Sequence, residues 1–383
     1  MRITALLAAL GAALTLPLAA AGELRGIPTD VDLALSISYE TAAKSRLRPA
    51  LQAMQRRLEK LAEQADPEAS RRNKAFAASL GGTPDSSRHL DLGLRLQDGP
   101  DGPDLALFVA AHIDMRKAAF DAFAKNQGVS PVAVGELAGW ELKSLFPALF
   151  QAVSGKPDEA GLSAEMLDGY AVAMPADNLM LVAPIRELGK SHDTWRGKSP
   201  GYAYPEPVRR AAAAVPLCHT TLHANLGRIL STASAEPGAS GQEPAGGLQS
   251  VSLHLGEDSK DVRVVAHATY RTEAQAKLGA GQLQALIPVV GAAAMPDDAD
   301  DEAARFLKPE VAAFVASIKV EQTGASLRVT ATHPIERLET FLSKAETLLG
   351  EIASSVGAGA PAPASPAAKL EPAATEKEVK KGR

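Results

Sequence analysis

Leu179-Met180-Leu181-Val182-Ala183-Pro184-Ile185-Arg186-Glu187-Leu188 and Leu327-Arg328-Val329-Thr330-Ala331-Thr332-His333-Pro334-Ile335-Glu336-Arg337-Leu338 state one design twice. In each, an aliphatic run leads into a proline and then into helix-forming residues. A first helical turn tolerates proline, because the N–H that proline lacks would be unpaired there anyway. The chain thus reads as one strand-and-helix unit written in tandem.

Working outward, the same plan repeats on both sides. Leu90, Leu92, Leu94 and Leu96 alternate with polar neighbours, and Asp98-Gly99-Pro100-Asp101-Gly102 forms a turn. Leu105, Leu107, Val109, Ala111 and Ile113 then alternate again. Two alternating runs joined by Asp-Gly dipeptides predict a hairpin. In the second half Val251, Leu253 and Leu255, the turn Glu257-Asp258-Ser259-Lys260, and Val262, Val264, Ala266, Ala268 and Tyr270 do the same. Laying Asp104 on Asp261 puts Leu105 on Val262 and Leu107 on Val264, with the aliphatic side facing inward.

A second hairpin precedes the first junction, at 170–174 and 179–183. Its counterpart is a strand of Phe314, Ala316, Ile318 and Val320 that turns at Thr323-Gly324. The first half carries an extra strand over 136–143. Leu33, Leu35, Ile37 and Tyr39 predict an opening strand, and 217–224 opens the second half, followed by a short helix from Asn225. Leu47, Leu51, Met54, Leu58 and Leu61 fall at steps of four and three, which predicts a helix over about 49–64. Residues 66–87 read as a loop, or as a frayed helix followed by a loop. Helices are also expected over 115–125, over 272–287, and from Pro334 with Leu338, Phe341 and Leu342 on one side.

The predicted class is α+β: two similar tandem halves, each an antiparallel sheet packed by helices. Residues 22–196 form the first unit and 215–352 the second. Residues 197–214, with Pro200, Pro205 and Pro207, read as the linker between them. Residues 234–247 read as a Gly/Pro/Ser loop. Residues 353–383 are Ala/Pro-rich with a charged end, a tail expected to be disordered.

Residues 1–21 read as a secretory signal. Arg2 is the only charge before Glu23, residues 3–18 are apolar and small, and Ala19-Ala20-Ala21 offers a cleavage site before Gly22. An uncleaved anchor is the alternative, weakened by Gly11, Thr15 and Pro17. The expected location is periplasmic or extracellular. With 383 residues and 46% apolar content, two cores are affordable. The net charge of −5 gives no basic face for nucleic acid. Cys218 is the single cysteine, so stability rests on packing without an intramolecular disulfide. Aromatics at 4% speak against stacking sugars.

Candidate chemistry is sparse. Residues 192–199, from His192 to Lys198 and Ser199, end like a phosphate-binding loop, but His192 stands where that loop needs glycine and Pro200 follows where it needs a helix. Cys218, His219 and His223 suggest zinc. On a strand, however, positions 219 and 223 lie about 13 Å apart, too far to share an ion, so they read as partly buried strand histidines. His112 and Asp114 close a strand, where Asp114 is expected to cap the next helix. Asp297, Asp298, Asp300, Asp301 and Glu302 lack the glycine and alternation of a calcium loop and suit a helix start. No catalytic, cofactor-binding or metal-ligating residue is assigned, and no cofactor is expected.

The run over 108–123, then 135–142, then 170–184, resembles a duplicated strand-helix-hairpin module found in exported bacterial proteins of unknown function. The resemblance implies duplicated architecture and export, and it carries no activity. The expected function is an exported, non-enzymatic binding or interaction protein, whose partner (a protein or an apolar small molecule) sits at the seam between halves. A hydrolase assembled from separate loops is the rival, with His112, Asp114 and His192 first to test. A structural envelope component, spaced by its tail, is the third.

Overall fold

The computed structural model describes residues 23–82, 88–99, 102–154, 167–233, 247–293 and 302–358. The first half contributes strands β1 (Glu23–Leu24), β2 (Leu33–Ser38), β3 (His89–Gly99), β4 (Gly102–His112), β5 (Pro131–Val134), β6 (Leu137–Glu141), β7 (Tyr170–Ala176) and β8 (Leu179–Pro184). After β9 (Tyr202–Ala203), the second half adds β10 (Thr220–Ala224), β11 (Leu248–Glu257), β12 (Asp261–Tyr270), β13 (Lys319–Thr323) and β14 (Ser326–Pro334). The helices are α1 (Tyr39–Ala42), α2 (Arg48–Ala65), α3 (Pro67–Leu80), α4 (Lys117–Asn126), α5 (Leu142–Ser154), α6 (Leu188–Trp195), α7 (Glu206–Ala213), α8 (Leu226–Ala233), α9 (Glu273–Ala293), α10 (Glu302–Ala316) and α11 (Ile335–Ala358). The class is α+β.

The expected pair of separate sheets is corrected. Twelve strands form one sheet in the order β13-β14-β12-β11-β10-β2-β3-β4-β8-β7-β6-β5, and β1 pairs with β9 apart from it. Each half runs outward from the centre in the same order, β2-β3-β4-β8-β7 on one side and β10-β11-β12-β14-β13 on the other. The two opening strands meet antiparallel, Leu35 opposite Leu222. An unpaired strand edge is a row of unsatisfied donors and acceptors, and each half satisfies the other's. The seam is therefore a line of backbone hydrogen bonds, not a cleft between two bodies.

Several local expectations also change. Residues 67–80 form a helix, with Asp66 accepting from the Ala69 N–H at 2.8 Å and Gly81 ending it at φ +75°. The expected strand over 136–143 is a hairpin, β5–β6, followed by α5, whose Pro147 masked the pattern of Leu142, Leu145 and Leu149. Phe314 and Ala316 belong to α10, and the strand starts only at Lys319. Pro184 and Pro334 end their strands, so the helical turn starts one residue later, at Ile185 and Ile335. The 197–214 stretch holds β9 and α7 and buries Tyr202, Tyr204, Val208 and Ala212. The last helix runs to Ala358, beyond the expected limit of 352. The signal at 1–21, residues 234–246 of the Gly/Pro/Ser loop, Asp297, Asp298, Asp300, Asp301 and residues 359–383 of the tail lie outside the described residues.

The core sits on both sides of the sheet, and the sides differ. On one, Ile27, Val31, Tyr202, Tyr204, Val208 and Leu188 close over Ala34, Ala106, Phe108 and Ala110. Small residues let the covering chain approach: a Cβ on Gly93 would sit 2.6 Å from Ile27 Cγ2 and 2.9 Å from Val31 Cγ1. On the other, Phe120 and Ala124 of α4 and Leu145 of α5 bury Trp140, Val172 and Val182 at the first-half end. Ala276 and Ala280 of α9 cover Leu327 at the opposite end.

Candidate functional site

Antiparallel register lines up side chains across strands on one face of the sheet. Starting from Val109 of β4, the positions directly opposite one another are Leu92, Leu35, Leu222, Leu253, Ala266 and Val329. Seven aliphatic residues from seven strands thus form one row across the seam, and all seven are half-buried. Leu33 with Leu94, and Thr220 with Leu255, flank the row at the seam and are also half-buried, while their partners across the seam, Ala224 and Ile37, are buried. The central four, Leu92 to Leu253, span about 14 Å at the usual strand spacing. The helix α2, which packs against α11 and α3, carries an amphipathic stripe with no buried residue. Leu51, Met54 and Leu61 are half-buried and Leu58 is 46% exposed. Leu105, expected inside, is 50% exposed.

The row one residue over points to the opposite face. It reads Ala110, Asp91, Ser36, Thr221, His254 and Val265. Every member is buried, Thr221 and His254 completely. Most polar groups there find partners, as burial demands, while Ser36 Oγ and His223 Nε2 have none among the described residues. Tyr204 Oη donates to the Thr221 carbonyl at 2.9 Å, His254 Nε2 lies 3.0 Å from Ser252 Oγ, Tyr202 Oη meets His223 Nδ1, and His89 Nε2 lies 2.8 Å from Asp91 Oδ1. Arg95, buried over the Phe108 ring at 5.2 Å, reaches Asp30 Oδ2 at 2.9 Å and also pairs with Glu187. Burial pushes His254 down to about 4, helped by His267 and His223, and burial alone brings His219 to about 4. It drives the Cys218 thiol up to about 11, far from a reactive thiolate.

The residues singled out from sequence scatter. His112 stands opposite His89, ring centroids 6.0 Å apart, and burial lowers its pKa with the charge of His89 adding to the effect. Asp114 does not cap the following helix. It pairs with Arg88 at 3.4 Å, and Asp177 accepts from the Lys117 N–H at 2.7 Å instead. Glu302 opens α10. His223 lies within β10 and His219 just before it. Among the described residues no group of three or more His, Cys, Asp or Glu is placed to hold a metal ion.

His192 lies elsewhere, on α6, stacked on Trp195 with 13° between ring planes and 6.1 Å between centroids. Together they wall a cleft of about 350 Å³ with Lys117, Glu136, Leu137, Ala138, Pro175 and Arg196. An irregularity in the β7–β8 register between Ala173 and Ala176 carries Pro175 to its edge. Burial lowers the His192 pKa, and Arg196 lowers it further. These eight residues come from four separated segments, and no spacing in the sequence could have joined them. The leucine row was visible as alternation, but its half-buried state was not.

No family model matches the chain, and no curated protein does. Solved structures of TP0453 are similar to it. Crystal forms III and IV align at 11% identity with TM-scores of 0.39, and crystal form I at 10% with 0.37. These alignments cover 84%, 84% and 85% of this chain and 98%, 96% and 98% of TP0453. A likeness of this degree carries no chemistry from one chain to the other. Among the described residues no helix is long and apolar enough to cross a membrane.

Proposed function

We propose that the chain is an exported, non-enzymatic binding protein, made of a duplicated α+β unit, that takes an apolar small molecule over the leucine row at the seam. The single observation that carries this reading is the contrast of the two rows. The aliphatic row is half-buried, while the row bearing Asp91, Ser36, Thr221 and His254 is closed from solvent. Folding alone would favour the reverse, since fully burying a leucine contributes about 1.5–3 kcal/mol and burying polar groups gains little even when they are paired. A contiguous, incompletely covered aliphatic face marks a place where something else is meant to bind. The row is aliphatic throughout, which suits a ligand with a saturated body.

Identical strand order on both sides of the seam supports duplication, and the apolar stretch ending at Ala19-Ala20-Ala21 supports export. Native mass spectrometry of the mature protein from its native host is expected to show a reproducible added mass that organic extraction removes. N-terminal sequencing is expected to begin at Gly22. A protein that carries no added mass, and takes up none from an extract of its own cells, refutes the binding reading.

A further inference from the structure

The cleft beside α6 lies apart from the leucine row and has different chemistry. Leu137, Ala138 and Pro175 give it apolar walls, and the parallel rings of His192 and Trp195 give it a flat one. Two cations and one acid line it. Lys117 is committed to Asp121, four residues along its own helix. Arg196 is held more loosely. Its Nη1 lies 3.6 Å from Glu136 Oε2, outside hydrogen-bond range, and the Glu136 side chain is 85% exposed. The ring nitrogens of His192 make no hydrogen bond to any described residue, and the neutral imidazole has one N–H to give. A volume of about 350 Å³ falls at the small end of ligand sites.

We propose that this cleft binds a small organic carboxylate with a flat apolar body. The carboxylate replaces Glu136 on the Arg196 guanidinium, a fork that matches it in two parallel hydrogen bonds. The His192 N–H donates to it as well. The body of the ligand lies against the Trp195 ring and Pro175. Glu136 is then the built-in competitor, a surface carboxylate occupying the same cation weakly until a ligand displaces it. This site is independent of the leucine row.

Calorimetric titration of the full chain with benzoate, and with benzamide as its uncharged counterpart, tests the proposal. Benzoate is expected to saturate and benzamide to bind at least ten-fold more weakly. Arg196→Gln is expected to weaken benzoate on the order of ten-fold, the scale of one charge-assisted pair. Glu136→Gln is expected to tighten it several-fold. Lys319→Gln, on the exposed far edge of the sheet, is expected to leave it unchanged. Equal binding of benzoate and benzamide overturns the proposal. So does indifference to both Arg196→Gln and Glu136→Gln, or the lack of saturable benzoate binding below about 10 mM. Glu136 is 85% exposed and Arg196 44%, so the variants are expected to keep the fold, and a urea melt of each checks it.

Discussion

The two faces of the central sheet are built from the same strands and differ in almost everything else. One residue along β2, Leu35 gives way to Ser36, and the environment changes from half-open and aliphatic to closed and polar. A side-chain period of two makes this abrupt. The closed face is held by its covering chain: residues 27–31, β9, α7 and α6 lie close because Gly93, Ala34, Ala106 and Ala110 leave room. On the open face the leucine row stays half-buried, Ile37 and Ala224 beside it at the seam are buried, and the covering clusters lie toward the two ends of the sheet. The largest buried cluster lies on the closed side, while the middle of the leucine row is only partly covered. The contrast predicts that lesions on the closed face lower stability and that lesions on the open face change binding.

The largest expected effect is at Arg95. It is buried between Asp30 and Glu187 and lies over Phe108. Removing one partner of a buried ion pair strands the others, which costs about 3–5 kcal/mol. Arg95→Met is therefore expected to lower the urea midpoint sharply. A loss below about 1 kcal/mol, the range of an exposed pair, would show that this face is more open than described.

Acid should come next, again through the closed face. His219 and His254 have pKa values near 4 in the fold, against an ordinary 6.5. The unfolded chain takes up protons that the folded sites refuse, so stability is complete above about pH 6.5 and falls as the pH drops toward 4. Each histidine accounts for at most about 3 kcal/mol of that loss. His254→Asn is expected to flatten the decline between pH 6.5 and 4 in thermal melts. An unchanged slope would place the acid sensitivity elsewhere.

Gly93 probes the same face more gently. Its φ is not in the left-handed region, and the reason for glycine is space: an added methyl would meet Ile27 and Val31. Gly93→Ala is expected to destabilise by about 1–3 kcal/mol, the usual cost of overpacking. A neutral result would mean that the covering segment yields easily.

How much of this was legible follows from what each feature depends on. Hairpins announce themselves locally, so β3–β4 could be placed from alternation and Asp-Gly dipeptides, and β11–β12 from alternation on both sides of the Glu257-Asp258-Ser259-Lys260 turn. Matching the hairpins indicated a shared plan for the halves, but not the order in which the strands pair within each half. The pairing of β2 with β10 could not be inferred, because it joins residues 187 positions apart and either edge could have been capped by a helix. Nor could the inversion of the faces. Leu90, Leu92, Leu94 and Leu96 read as an inward face by every rule of amphipathicity, and only the position of the covering chain over Asp91, Gly93 and Arg95 shows otherwise. Polar residues on strands look solvated until their partners, such as Tyr204 for Thr221 or Glu187 for Arg95, arrive from distant segments.

The smallest effect on stability should come from the open face, and there the contrast is tested most directly. Leu222 sits mid-row between Leu35 and Leu253, on one of the two seam strands. Being half-buried, it has about half of a leucine's 1.5–3 kcal/mol to lose. Threonine is β-branched and so suits the strand. Leu222→Thr is therefore expected to cost about 1 kcal/mol or less in a urea melt while setting a hydroxyl in the middle of the aliphatic row. If the row binds an apolar molecule, that hydroxyl is desolvated without a partner on binding, a penalty of about 1–3 kcal/mol, or roughly a ten-fold to hundred-fold loss of affinity. The uptake of 8-anilinonaphthalene-1-sulfonate by the extracted protein reads this directly, provided that the melt shows the fold intact. A variant that is both as stable as the parent and as able to bind the dye would mean that the row is ordinary sheet surface. A variant that unfolds would mean that the leucine face, not the closed one, carries the stability of the seam.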